Sequence, residues 1–291
     1  MHNYVLITAA KNEAEFIEKT IISVINQTIL PKKWVIVNDG STDATKKIVD
    51  RFIQNYKFIE LINLNKSESR SFGAKANAVM YAYNKIKDID FEFIGNLDAD
   101  IYFEPNYYEN MLKLMFNYNK LGIAGGKRFD FCNGKFKILK SANNSVGGPF
   151  QFFRRECFES IKGYEPLEFG GIDALAEIKA RELGWEVKSF PEYFLFHQRC
   201  TGEARNKSIY KRNIIDGKKF YKLGYHPLFF SFKFLSNIFK KPYLLGYFLN
   251  LYGFFSLLVV REEKYATPNT VKFLQQEQIK RLIKTLYLRL G

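Results

Sequence analysis

Two aspartates separated by one residue, Asp98 and Asp100, are the first residues of this sequence whose types and spacing suggest chemistry. They follow the apolar run 91–95, which is typical of a buried strand. Open α/β sheets bind their ligands just beyond the carboxyl ends of such strands. Two carboxylates there offer hard oxygen ligands to a Mg²⁺ or Mn²⁺ ion that also holds a diphosphate. The alternative is a solvent-exposed turn, because Asp is common in turns.

The elements that must position this pair follow from hydrophobic periodicity. Strand and helix patterns alternate four times at short spacing, which predicts a mostly parallel sheet with helices on both faces. We expect the first helix to run from about 13 to 28 with Asn12 as its cap, and a later one to follow Pro105. The apolar runs that predict strands are 4–10, 34–39, 58–64 and 91–95.

The pattern becomes irregular after Gly125 and Gly126. In this region the sequence predicts only short extended pieces until a last helix and two last strands. These elements are the pieces 136–139 and 150–154, the helix from about 171 to 184, and the strands 187–190 and 193–197.

Acidic or imidazole side chains stand at the ends of four predicted elements: Asp39, Asp98 with Asp100, Asp173 and His197. The carboxyl ends of parallel strands share one edge of a sheet, so we expect these side chains to lie on the same side of it. Solvated acids placed at random would not follow element ends so regularly. The sequence therefore predicts one site that gathers several carboxylates and an imidazole.

Five short segments resemble the motifs of family-2 glycosyltransferases with the GT-A fold. The resemblance covers roughly residues 4–200, and it implies an α/β, Rossmann-like catalytic domain over 1–200 with a mostly parallel sheet and flanking helices. A mainly α-helical extension would occupy 201–291. The segments are Ala10-Lys11-Asn12-Glu13, Val37-Asn38-Asp39-Gly40-Ser41-Thr42-Asp43, Leu97-Asp98-Ala99-Asp100, Gly170-Gly171-Ile172-Asp173 and Phe196-His197-Gln198-Arg199.

The resemblance implies a binding role for five residues. Ala9 and Glu13 would line the nucleotide pocket, and Asp39 would accept a hydrogen bond from the base. Asp98 would contact the ribose, and Lys75 would lie near the nucleotide. The donor implied is a nucleotide-sugar, with a UDP-sugar favoured and a GDP- or dTDP-sugar possible.

The resemblance also implies how the reaction proceeds. Asp100 would bind the Mn²⁺ or Mg²⁺ that bridges the diphosphate, His197 would complete the metal shell, and Asp173 would be the general base in an inverting single displacement. A structural histidine and a simple first-turn acid are the alternatives for His197 and Asp173. Many family members place Glu before the base, where this chain has Ile172.

The acceptor implied is a hydroxyl of a saccharide or of a saccharide linked to polyprenyl phosphate. The extension lacks the Gln-x-x-Arg-Trp motif of processive polysaccharide synthases, which favours transfer of a single sugar. The competing function is a nucleotide-binding but inactive relative that acts as a scaffold in glycan assembly. Retention of the four aspartates named above favours the enzyme.

The charge of the chain indicates an anionic partner. The 291 residues carry a net charge of +14, and eleven basic residues between His197 and Leu245 are opposed by only Glu203 and Asp216. A generally basic composition without a special partner is the alternative. No zinc-finger spacing or RNA-binding motif is present, so we expect no specific nucleic-acid binding.

Residues 242–260 are free of charged side chains over a length close to that of a spanning helix. Their polar and small residues, and the basic aromatic sequence around them, favour a helix that lies in the interface of an anionic membrane. A spanning helix and a helix packed on the core remain the alternatives. We expect a cytoplasmic protein, peripheral at the inner face of the cell membrane, because the first residues lack the features of a signal peptide.

The cysteines are three in number: Cys132, Cys157 and Cys200. They lie far apart in the sequence, and neither metal-ligand spacing nor a disulfide framework can be recognised among them. A reducing compartment is the simplest inference.

Overall fold

The computed structural model describes residues 3–64, 72–139, 141–200, 208–235, 238 and 242–290. The chain forms two compact units. One comprises Met1–Pro166 with Ile172–Glu203, and the other comprises Leu167–Gly171 with Ala204–Gly291. The assignment of a catalytic domain to 1–200 and of an extension to 201–291 stays a prediction.

A nine-stranded sheet forms the centre of the first unit. Its strands are β1 (Tyr4–Ala10), β2 (Lys33–Asn38), β3 (Ile59–Asn63), β4 (Phe93–Asn96), β5 (Ile101–Phe103), β6 (Leu121–Cys132), β7 (Lys135–Ile138), β8 (Phe152–Arg154) and β9 (Glu186–His197). They are ordered β3-β2-β1-β4-β8-β6-β9-β5, and β7 pairs with β6 beside this path.

One half of the sheet is parallel, as the sequence predicts. β1 pairs in parallel with β2 and with β4, and β2 pairs in parallel with β3. These strands carry almost continuous apolar sequence because both of their faces are buried, and Leu6, Ile7 and Val35 are fully buried. The carboxyl ends of β1, β2 and β4 consequently meet at one edge, and the prediction of an α/β sheet with flanking helices is confirmed.

The other half of the sheet is mixed, and here the sequence-based strand limits are wrong. β6 and β9 are each one strand of twelve residues, where the sequence indicates an irregular stretch and two short strands. β6 runs parallel to β9 and antiparallel to β8. Gly126 is not a break in β6: a Cβ atom there would collide with the backbone oxygen of Tyr193, so this glycine lets the two strands approach closely.

Six α-helices accompany the described sheet. The first helix begins at Ile17, later than the sequence predicts, because Asn12 does not cap it. Asn12 has a left-handed φ of 54°, and its Oδ1 accepts a hydrogen bond from the Thr42 N–H at 2.8 Å. The helices are α1 (Ile17–Ile25), α2 (Thr45–Ile53), α3 (Phe72–Ile86), α4 (Tyr107–Asn117), α5 (Arg155–Ser160) and α6 (Ile172–Glu182).

A disulfide bond joins Cys132 and Cys200, although the sequence gives no sign of this pairing. Cys132 ends β6 and Cys200 follows β9 by three residues, and the parallel pairing of the two strands brings them together with Cα atoms 5.0 Å apart. Cys157 is a free, buried thiol. The sequence spacing could not reveal this pairing, and with the bond present the cysteines no longer support a reducing compartment.

The second unit contains four described α-helices: α7 (Ile209–Lys222), α8 (Pro227–Leu235), α9 (Leu244–Val259) and α10 (Pro268–Leu290). α7 and α9 pack closely because Gly217 and Gly253 have no side chains; a Cβ atom on either would collide with the backbone of the other helix. Phe230 of α8 stacks on Phe254 of α9 with ring centroids 4.3 Å apart. In the described part of the chain, no helix has the length and hydrophobicity needed to cross a bilayer.

Candidate functional site

Asp98 and Asp100 lie in the turn between β4 and β5, directly past the carboxyl end of β4. The Leu97 N–H donates to the Ile7 carbonyl of β1 at 3.0 Å, and the Asp98 N–H donates to the Pro149 carbonyl at 2.8 Å. These bonds hold the turn against two neighbouring segments. Asp98 is half-buried, whereas Asp100 is buried.

Lys75 of α3 lies against Asp98. Its Nζ forms an ion pair with Asp98 Oδ1 and lies 3.5 Å from the carbonyl oxygen of Gly148. Asn96 Nδ2 donates to the same carbonyl at 2.5 Å. A short 3-10 turn, Gly148–Phe150, is therefore fixed to the end of β4 and lies beside Lys75.

Asp173 lies in the first turn of α6 and touches the same 3-10 turn. A Cβ atom added to Gly148 would lie only 2.7 Å from Asp173 Oδ2, so the carboxylate lies directly against this glycine. Gln151 Nε2, which lies 3.4 Å from the Asp173 carbonyl oxygen, supports the start of the helix. Asp173 is half-buried, which leaves it accessible to a ligand. Gly148 thus lies between Asp173 and the Lys75–Asp98 pair.

Asp100 forms the centre of a buried polar cluster, which we call the Asp100 cluster: Glu13, Asp100, Arg128, Asp130, His197 and Arg199. Asp100 Oδ2 lies 3.0 Å from His197 Nε2 and 2.5 Å from Arg199 Nη2. The same Arg199 nitrogen lies 2.8 Å from Glu13 Oε1. His197 reaches Asp100 because β5 pairs with β9 and places Ile101 opposite His197.

Asp130 of β6 contacts His197 from its other side. Asp130 Oδ1 lies 3.0 Å from His197 Nδ1 and 2.8 Å from Arg128 Nε. The register of β6 and β9 places Asp130 directly opposite His197. Because a carboxylate engages Nδ1, the ring is oriented with Nε2 toward Asp100.

Burial and charge pairing act in opposite directions on the Asp100 cluster. Desolvation raises the pKa of Asp100, but the hydrogen bond from His197 and the charge of Arg199 outweigh it and hold this pKa well below its usual range. Burial lowers the pKa of His197, yet its hydrogen bonds to Asp100 and Asp130 raise it above the usual value. Asp100 is therefore held as a carboxylate at neutral pH.

The Asp100 cluster offers a carboxylate, which is the kind of ligand that a hard divalent cation prefers, and next to it an imidazole. Asp100 Oδ1 is buried and has no hydrogen-bond partner within the described residues. Asp100 Oδ2 and His197 Nε2 are hydrogen-bonded at 3.0 Å, and these two side chains would hold the cation. No group of three or more His, Cys, Asp or Glu side chains in the described chain is arranged to hold a metal. Asp100 and His197 would therefore fit Mg²⁺ or Mn²⁺ only as two ligands of a shell that water and phosphate oxygens complete.

Ala9 and Asp39 lie at the ends of two neighbouring strands, at the same edge of the sheet as Asp98. Ala9 is opposite Val37 in the pairing of β1 with β2. The Asp39 N–H donates to the Ala10 carbonyl at 2.9 Å, and the Asp39 side chain is buried. The structure therefore brings Ala9, Asp39 and Asp98, three of the five residues expected to bind the nucleotide, to one edge.

Asp43 has a structural role, as expected of a residue just before a helix. Its Oδ2 accepts a hydrogen bond from the Ala14 N–H and its Oδ1 accepts one from the Thr45 N–H, each at 3.0 Å. Asp43 therefore connects the segment after β1 to the start of α2.

The sequence model of glycosyl transferase family 2 matches residues 5–169, more than half of the chain. The chain belongs to glycosyl transferase family 2. The matched range contains Asp39, Asp98 and Asp100, while Asp173 and His197 lie beyond it.

Curated proteins similar to the chain include the poly-β-1,6-N-acetyl-D-glucosamine synthase of Staphylococcus epidermidis. It is 26% identical over 204 residues, which cover 63% of this chain and 47% of the relative. The enzyme of the same name from Staphylococcus aureus strain COL is 24% identical over 194 residues with the same two coverages, 63% and 47%. The chain spans about half the length of the curated relatives it matches.

Solved glycosyltransferase structures share the fold of this family-2 chain. S. aureus TarS 1–349 in complex with UDP-GlcNAc superposes with a TM-score of 0.56 at 17% identity, covering 74% of this chain and 64% of that chain. The mannosyltransferase PcManGT from Pyrobaculum calidifontis, in complex with GDP-Man and Mn²⁺, superposes with a TM-score of 0.57 at 16% identity, covering 99% and 81%. At such identities the similarity establishes the fold.

Several polar residues around the family-2 motifs are not indicated by the motifs themselves. Glu177 Oε1 accepts hydrogen bonds from the Val146 N–H at 2.6 Å and from Gln151 Nε2 at 3.2 Å. The Tyr164 hydroxyl donates to Gln151 Oε1 at 2.5 Å. This network lies directly behind the first turn of α6. For Asp130 the sequence contains one signal, an acid that stands between two phenylalanines.

Proposed function

We propose that the chain transfers one sugar from a nucleotide-diphospho-sugar to a hydroxyl group of a saccharide acceptor, with inversion at the anomeric carbon. The observation that carries the proposal is the position of Gly148, which lies between Asp173 and the Lys75–Asp98 pair. Inverting displacement needs a base on one face of the sugar and charge neutralisation on the other. In this proposal Asp173 supplies the base on one side of the turn, and the donor lies on the other side, where Lys75 and Asp98 are.

Asp173 is the general base in this proposal. Its half-buried carboxylate would accept the proton of the acceptor hydroxyl as that oxygen attacks the anomeric carbon. The diphosphate leaves from the opposite face with the electron pair of the broken bond. Gln151 bonds both the Asp173 carbonyl and Glu177 of α6, and this anchoring of the helix keeps the carboxylate in place.

Asp100 and His197 would hold the divalent cation, which when bound neutralises the charge of the departing diphosphate. Asp98 and Lys75 would position the nucleotide end of the donor, and Asp39 and Glu13 would line its base pocket. Arg199, between Asp100 and Glu13, adds a fixed positive charge next to the proposed diphosphate site.

We further propose a UDP-sugar as donor, with a GDP- or dTDP-sugar as the alternative. The UDP-GlcNAc bound to TarS and the GDP-Man bound to PcManGT support nucleotide-sugars as the donor class. The related synthases suggest a product in polysaccharide biosynthesis. The proposed acceptor is a saccharide, either free or linked to polyprenyl phosphate at the inner, anionic membrane surface.

The test measures thermal stabilisation by UDP-, GDP-, dTDP- and CMP-sugars, with and without Mn²⁺. A donor at about 100 times its dissociation constant should add about 2.7 kcal/mol to the free energy of unfolding. We expect one nucleotide class to stabilise the protein in a Mn²⁺-dependent manner, and Asp100→Asn to abolish this effect. Asp88→Asn, at an exposed carboxylate, is the control and should behave as the wild type. Absence of stabilisation by every donor would overturn the proposal.

The same assay separates an enzyme from an inactive scaffold. With the donor class known, release of nucleoside diphosphate measures hydrolysis and transfer. Asp173→Asn should lower the rate by about 10²–10⁴-fold while donor stabilisation is kept. Donor binding by wild-type protein without any release of nucleoside diphosphate would favour the scaffold.

A further inference from the structure

Helix α9 of the second unit exposes an apolar face that the proposed transfer does not use. Its buried side, which includes Gly246, Asn250 and Phe254, faces the interior of the unit. At about 100° per residue, the exposed positions fall in one arc of about 100°. Those positions are Leu244, Leu245, Phe248, Tyr252, Phe255 and Val259. A helix on the surface of a soluble protein normally carries polar side chains in this arc.

A second helix of the same unit has the same property. α8 exposes Leu228, Phe232 and Leu235, which recur at helical spacing, while Phe230 and Phe234 are buried. We call the exposed apolar residues of the two helices the α8–α9 face. Large exposed apolar surfaces mark sites of contact with a protein or a membrane.

The charge of the chain is concentrated in this unit. Residues 204–291 contain seventeen Lys and Arg against four Asp and Glu, a net charge of +13, whereas residues 1–203 carry +1. Some of these cations lie at the carboxyl end of α9. A cleft of about 1340 Å³ is lined there by Arg261, Lys264, Lys272 and Lys280, together with Glu262 and Glu263.

We propose that the α8–α9 face docks on an anionic lipid bilayer, with α9 lying in the interface. A bilayer of this kind supplies an apolar interior for the aromatic and aliphatic side chains and a negative surface for the surrounding cations. A second copy of the chain is a poorer occupant, since it would bring another +13 unit against the first. The inference deepens the proposed function. Its connection to a lipid-linked acceptor rests on that function, whereas the docking itself does not.

The test is flotation of the full chain with vesicles of phosphatidylcholine, with and without phosphatidylglycerol. We expect binding to the anionic vesicles that weakens as salt rises, because the surface potential is screened. The double variant Leu245→Gln/Phe248→Gln should partition at least about tenfold less, since it removes two side chains that would enter the apolar layer. The matched control is Phe116→Gln/Leu183→Gln, which removes the same two residue types at similar exposure in the first unit (61% and 54%, against 58% and 50%).

A single reporter makes the result independent of the folding of the double variant. Wild type, whose Trp34 and Trp185 give the background emission, is the reference. Relative to it, Phe248→Trp should add emission that shifts to the blue and is quenched by brominated lipid when anionic vesicles are added. Equal vesicle binding by the double variant and its control would overturn the proposal. So would tryptophan emission of Phe248→Trp that does not respond to anionic vesicles. So would a dimer that forms without lipid and is lost in the double variant. Donor stabilisation of the double variant, measured in parallel, shows separately whether the transferase site is intact.

Discussion

At the scale of the residue, the orientation of His197 depends on Asp130. Asp130→Asn keeps the shape of the side chain and an oxygen that can accept from Nδ1–H, but it removes the negative charge, so the ring loses the charged partner that holds Nε2 toward Asp100. We expect the affinity for Mn²⁺, measured by calorimetry with nucleoside diphosphate present, to fall by about 10–100-fold. Glu186→Gln, at an exposed acid that begins β9, is the control. Unchanged Mn²⁺ affinity in Asp130→Asn would show that the contact is structural only.

Glu177 predicts a pH dependence of stability. Burial, and secondarily the charge of Asp173, raise the pKa of Glu177 from 4.5 to about 7, against the bond from the Val146 N–H. A raised carboxyl pKa means that the neutral form favours folding, so this contribution is complete below pH 4.5 and is lost as the pH rises through about 7.

Glu177→Gln imitates the neutral acid and removes this loss. Relative to wild type, the variant should gain up to about 3 kcal/mol at about pH 8.5 and little at about pH 5, as measured by urea unfolding at both values. Gln keeps an oxygen that can accept from the Val146 N–H. A difference in stability that does not change between the two pH values would contradict the assignment.

Some site residues can be found from the sequence around them, whereas others are recognised only through a partner that is distant in the sequence. Asp98, Asp100 and His197 are predictable because each stands at the end of an apolar run. Asp130 is not, because its partner His197 is 67 residues away and becomes a neighbour only through the pairing of β6 with β9. Glu177 is also missed, since its position on α6 resembles that of any helical acid.

At the scale of the element, the 3-10 turn at Gly148 joins the two halves of the candidate site. Gly148→Ala would place a methyl group 2.7 Å from Asp173 Oδ2, so the carboxylate or the turn must move. Displacement of a base by about 1 Å can cost about 10²-fold in rate, and we expect a loss of that size in transfer. Donor stabilisation should be affected less, because Asp98 and Lys75 keep their ion pair.

A double-mutant cycle checks that Gly148 acts through Asp173. In an Asp173→Asn background, Gly148→Ala should cause little further loss, since the base is already absent. Two independent, multiplying losses would show that the turn serves another group.

An element can be predicted from the sequence when the residues that it buries are apolar. β1, β2 and β4 are short, apolar and buried on both faces, so their sequence is sufficient to find them. β6 buries Lys127 and Arg128, and Lys127 Nζ donates to the Ser141 carbonyl at 3.0 Å. Buried charges of this kind, next to two glycines, conceal a strand from any pattern of hydrophobicity.

At the scale of the whole molecule, composition predicts an anionic partner but does not identify its class. The charge lies almost wholly in residues 204–291, outside the range that the family model matches. The family motifs and the charge are therefore separate sources of information. The motifs indicate the chemistry, and the charge indicates that the partner is anionic.

This distribution predicts how the chain will bind nucleic acid. Two unrelated single-stranded DNA oligomers should bind with equal affinity, because no base-reading motif is present, and the affinity should fall steeply between about 50 and 200 mM salt. Fluorescence anisotropy at several salt concentrations measures both properties. The prediction depends on which unit carries the positive charge. Two triple variants that change the net charge by the same amount, one in each unit, test this point. Lys272→Glu/Lys280→Glu/Lys284→Glu, at exposed positions of α10, should lose most of the binding, while Lys57→Glu/Lys87→Glu/Lys120→Glu, at exposed positions of the first unit, should lose little. Equal losses would mean that only the total charge matters, and a preference for one DNA sequence would restore nucleic acid as a specific partner.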